Sequence, residues 1–62
     1  METGNYAVQV DRTGIAGSFQ TVARFETLAD AIRDGWRLVR RHPRWCIEVW
    51  DDARGAVAWR PE

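Results

Sequence analysis

The sequence predicts an α+β domain. It is a four-stranded antiparallel sheet of element order β-β-α-β-β and spatial order 2-1-3-4, with one helix packed on one face. Three observations carry this expectation. Extended segments with period-two alternation flank one segment with the 3/4 spacing of an amphipathic helix. Turn residues separate the extended segments pairwise: Gly14 and Gly17 in the first half, Asp51, Asp52 and Gly55 in the second. A chain of 62 residues is one domain at most, so all the elements share one core. A right-handed crossover from the second strand through the helix to the third is met by order 2-1-3-4, with all neighbours antiparallel. Residues 1–62 thus read as a single small domain. It has a flexible start over 1–4, hairpins at about 6–25 and 45–60, and a helix at about 27–42.

The first strand is Tyr6-Ala7-Val8-Gln9-Val10, whose Tyr6, Val8 and Val10 share a face. The second runs from Phe19 to Phe25, with Phe19, Thr21, Ala23 and Phe25 on one side, and the two phenylalanines are expected inward. Thr27 is a good N-cap, with Asp30 three residues on as a variant of the capping box. Leu28, Ala31, Ile32, Gly35, Trp36, Leu38 and Val39 form the apolar stripe. Gly35 in mid-helix costs about 1 kcal/mol relative to Ala, which points to close approach of helix and sheet. Arg40, Arg41 and His42 complement the dipole at the last turn, and Pro43 stops the helix.

The third strand is Trp45 to Trp50, and the fourth is Ala56 to Arg60. A three-residue loop with Gly55 left-handed sets Asp52 opposite Ala56, Trp50 opposite Ala58, Val49 opposite Trp59 and Glu48 opposite Arg60. Ile47, Val49, Val57 and Trp59 then face the core, and Glu48 and Arg60 make a cross-strand pair on the other face. Trp36, Trp45 and Trp59 are expected in the core or at its edge, Trp36 half exposed.

Composition narrows the function classes. Nine arginines and no lysine balance nine acids, so the chain lacks the basic excess usual in a dedicated duplex-binding module. One cysteine and one histidine make neither an internal disulfide nor a structural zinc site. No cofactor is expected. The lone cysteine suits a reducing compartment. No apolar run is long enough to span a membrane, and no secretory leader pattern opens the sequence. A cytoplasmic protein without membrane association is therefore expected. His42 reads as a helix-end residue, Cys46 as an inert strand cysteine and Asp51-Asp52 as a turn, so no catalytic residue is assigned.

One helix can cover one sheet face only. The other is expected to carry Ala7, Gln9, Gln20, Val22, Arg24, Cys46, Glu48, Trp50, Ala58 and Arg60. Trp50 is the anomaly there. It either shields Ala56 and Ala58, or anchors an interface with a protein or a second copy, or stacks bases of a single strand beside Arg24 and Arg60. Trp50, Arg60, Glu48 and Arg24 are thus the candidate partner-binding residues. Arg37, Arg40, Arg41 and Arg44 form the one basic concentration, which suits either solvated dipole complementation or an anionic partner.

The helix start Phe25-Glu26-Thr27-Leu28-Ala29-Asp30-Ala31-Ile32 and the strand and turn Ile47-Glu48-Val49-Trp50-Asp51-Asp52-Ala53-Arg54-Gly55 resemble a loose group of small bacterial and phage proteins of β-β-α-β-β order. The resemblance implies the fold and no activity. The expectation is a non-enzymatic protein-interaction module, working through the uncovered sheet face or an edge strand, with a protein partner or itself. The alternatives are a small nucleic-acid-binding protein using the arginine-rich helix end, and a phage-type inhibitor of a host enzyme.

Overall fold

The structure, a computed structural model, describes residues 4–61. The strands are β1 (Tyr6–Asp11), β2 (Gln20–Phe25), β3 (Cys46–Asp51) and β4 (Ala56–Trp59), and the helix is α1 (Leu28–Arg41). The sheet order is β2-β1-β3-β4 with every pair antiparallel. This is the α+β topology expected from the sequence. The flexible start expected at 1–4 falls on residues outside the described ones, except Gly4. Gly4 lies against the Phe25 backbone, where a Cβ would overlap the carbonyl.

The helix begins where the sequence places it. Thr27 is extended, and its hydroxyl accepts from the Asp30 N–H at 3.2 Å. His42 caps the other end, its N–H donating to the Leu38 carbonyl at 2.8 Å. The helix buries Ala31 and Gly35 against the sheet. A Cβ on Gly35 would stand 2.7 Å from Cζ3 of Trp59. The glycine's cost therefore seats the indole directly on the helix backbone.

The core is small and aliphatic. Val8, Ala31 and Val49 are fully buried, and Tyr6, Ala23, Phe25, Leu28, Leu38 and Trp59 pack around them. Of the three tryptophans expected in or beside the core, Trp59 alone packs against it. Trp36 meets Trp59 edge-on at 5.3 Å and is 37% exposed. Trp45 lies apart, its ring stacked on His42 at 3.5 Å.

Two bulges alter the expected faces. Val8 faces Ala23 while Gln9 faces Thr21, so Val22 is the extra residue in β2. Unbroken alternation had put Phe19 inward with Phe25. The bulge divides them: Phe25 packs on the core, whereas Gln20 faces Val10 and Phe19 falls toward the uncovered side. In β4 the extra residue is Ala58, because Val49 faces Trp59 and Trp50 faces Val57. The connecting turn holds four residues, 52–55, rather than three, and Asp51 faces Ala56. The bulge absorbs the extra turn residue, so the Val49–Trp59 and Glu48–Arg60 neighbours survive. Val57 changes face and sits opposite Trp50.

Candidate functional site

All four candidate partner-binding residues lie on the face that α1 leaves uncovered, in rows that cross the sheet. Arg24, Ala7, Trp50 and Val57 form one row. Thr21, Gln9 and Glu48 form the next, extended by Arg60, whose Nε–H donates to Glu48 Oε2 at 3.3 Å. Asp11 and Cys46 form the last.

This face is closed in part by its own side chains. Ala7 has no exposed surface, because the larger neighbours opposite it on both sides, Arg24 and Trp50, close over it. Trp50 is itself half-buried. Arg24 bonds Asp52, which ties the β2 edge to the β3–β4 turn. Glu48 is buried with Arg60 as its ion-pair partner, while Arg60 keeps 67% of its side chain exposed. The Gln9 amide donates to the Thr21 hydroxyl at 3.4 Å. The large apolar side chains most open to solvent are Ile15 in the β1–β2 loop at 80%, Val22 at the β2 bulge at 40% and Trp36 on α1 at 37%.

Toward the Cys46 end the face opens into a groove of about 370 Å³. Cys46 and Glu48 line it from β3, Ala16 and Phe19 from the β1–β2 loop, and Trp45, Arg60 and Pro61 from the segments beyond. Sequence reasoning missed Phe19 here, since its position depends on the Val22 bulge. A second depression of about 270 Å³, beside the helix, is walled by Phe25, Asp30, Arg33, Asp34 and Arg37. Its charged side chains are already joined by the Asp34–Arg37 and Asp30–Arg33 pairs.

The loop that walls the groove is held by one carboxylate. Asp11 Oδ1 accepts from the Thr13 N–H at 2.8 Å and the Thr13 hydroxyl at 2.5 Å, and Oδ2 accepts from Gly17 and Ser18 N–H at 2.7 and 2.8 Å. These donors, the Thr13 hydroxyl first, hold the carboxyl well below its ordinary 3.8, at about 2, against the opposing effect of burial. The Ile15 N–H extends the chain to the Thr13 oxygen at 3.2 Å.

The basic candidates separate. Arg37 bonds Asp34 at 2.7 Å and belongs to the helix flank. Arg40, Arg41 and Arg44 are exposed and, among the described residues, form no ion pair. Arg12, which the sequence did not single out, joins them. Its guanidinium lies over the Trp45 ring at 5.1 Å, and Gly14 of the same loop lies against the Arg44 carbonyl. Among the described residues no group of three His, Cys, Asp or Glu side chains is placed to hold a metal ion, and no helix is long and apolar enough to cross a membrane. Compared with family models, with curated proteins and with solved structures, the chain finds no match.

Proposed function

We propose that the protein is a non-enzymatic interaction module of the cytoplasm that docks a protein partner, or a second copy of itself, through the uncovered sheet face. The groove carries this reading. It sets the aromatic side chains of Phe19 and Trp45 beside a buried carboxylate, Glu48, and an exposed guanidinium, Arg60. Apolar walls with a few placed polar groups are what a docking surface needs. Trp50 supports the floor beside the groove, since it closes over Ala7 and is itself half-buried.

Two measurements test the reading. Light scattering behind size-exclusion chromatography, from micromolar to near-millimolar chain, reads self-association, which Phe19→Glu is expected to abolish with the fold intact. A photo-crosslinking residue at position 19 is expected to capture a neighbour in cells, while the same residue at exposed position 29 on α1 captures none. A monomer at every concentration, together with equal cross-linking from both positions, removes the proposal.

A further inference from the structure

The zero net charge of the chain conceals a basic end. Arg40 and Arg41 lie in the last turn of α1, and His42 caps it and stacks on Trp45 at 3.5 Å. Arg44 directly precedes Trp45, and Arg12 covers the same indole from the β1–β2 loop. Four arginines from three segments therefore gather at the end of the molecule that carries this aromatic stack, with Arg12 directly on its ring. All four are exposed, and none is ion-paired among the described residues. Of the acids near this cluster, Asp11 is buried and gives both oxygens to its own loop, and Glu48, which lines the groove with Trp45, is neutralised by Arg60. A helix C-terminus contributes roughly half a negative charge. With Asp11 it offsets about one and a half of the four positive charges, and the end stays strongly positive.

We propose that this end binds the phosphate backbone of duplex nucleic acid. Guanidinium groups match phosphate oxygens in pairs, and the absence of lysine makes every contact of that kind. Single-strand binding relies on free aromatic faces for the bases. Here His42 stacks on Trp45 and the Arg12 guanidinium lies over the same ring, so the indole is engaged within the protein. What remains on offer is positive charge, which suits the denser phosphates of a duplex. The inference concerns the end of the sheet and holds whether or not the groove docks a partner.

The test is anisotropy of a labelled DNA duplex titrated with the full chain at low salt. Four phosphate contacts imply a log–log salt slope of about −3.6, a loss on the order of a hundredfold between about 50 and about 200 mM salt. Arg40→Glu with Arg41→Glu is expected to weaken binding by roughly tenfold or more at low salt. Arg33→Glu with Arg54→Glu changes the net charge equally, away from this end, and is expected to bind within about twofold of the parent. Circular dichroism confirms that both pairs fold. No duplex binding at low salt, or equal loss in the two pairs, overturns the proposal. So does tighter binding to a single strand, to poly-glutamate or to phosphatidylglycerol vesicles than to the duplex.

Discussion

In the β1–β2 hairpin a carboxylate organises the loop; in the β3–β4 hairpin an indole holds the strand. Both inner strands end in a buried aspartate, Asp11 and Asp51, at opposite ends of the sheet. Asp51 accepts from Ala53 and Arg54 N–H at 3.0 and 3.3 Å, and a backbone bond from Gly55 N–H to its carbonyl at 2.8 Å closes the turn. Asp11 accepts four bonds and spans a loop twice as long, 12–19 against 52–55. Few of the longer loop's side chains reach the core, so its order has to come from the carboxylate. The short turn closes locally, and its outer strand β4 is instead pinned by Trp59 on Gly35. A polar anchor serves where a loop's apolar side chains do not reach the core, and an aromatic one where a helix lies within reach.

The largest expected effect breaks the second hairpin. Burying a tryptophan is worth about 3 kcal/mol or more, less where it is half exposed. A chain of this size has a total of roughly 3–9 kcal/mol at about 0.05–0.15 kcal/mol per residue. Trp59→Ala is therefore expected to remove about 2–3 kcal/mol in urea denaturation. Hydrogen exchange should show the amides of β4 losing protection before those of β1 and β2. Equal loss across the sheet would mean that the two hairpins share one anchor.

Much of this contrast was legible in the residues. Thr27, Pro43 and Gly55 act within one turn of chain, and each does what its type dictates. Gly35 announced a close approach, though not that Trp59 was the group approaching. Phe19 and Val57 were misplaced because a bulge leaves no mark in an alternating pattern: both Val22 and Ala58 are ordinary strand residues. Arg12 leaves no signal in the sequence because it meets Trp45 across 33 positions. Asp11 carries no mark of its role in the sequence, because its four donors come together only once the loop folds back on it.

The next effect tests the first hairpin. Asp11→Asn keeps the shape but gives up the charge and one acceptor. Asp11 titrates near 2 when folded, against an ordinary 3.8. Its ionisation therefore adds stability that is fully present above about pH 4 and is lost as pH falls through about 2. The stability gap between parent and Asp11→Asn should thus be widest near neutrality and narrow from about pH 4 to about pH 2 in urea melts. A gap that stays constant with pH would assign Asp11 a steric role only.

The smallest effects compare the hairpins at one dihedral angle. Gly55 and Ala16 both hold φ at +64°, the left-handed region. A side chain costs roughly 1 kcal/mol there. Gly55→Ala is expected to lose about 1 kcal/mol, its Cβ meeting open space so that backbone strain is the whole cost. Ala16→Gly relieves the same strain but loosens the unfolded chain, so a gain of about 0.5 kcal/mol is expected. The alanine is tolerated because Gly17 and Ser18, directly after it, are fixed on Asp11. Ala16→Gly made on the Asp11→Asn background should therefore gain less than on the parent, since a slackened loop no longer enforces the strained angle. Equal gains in a double-mutant cycle would show that the loop holds Ala16 left-handed without its carboxylate.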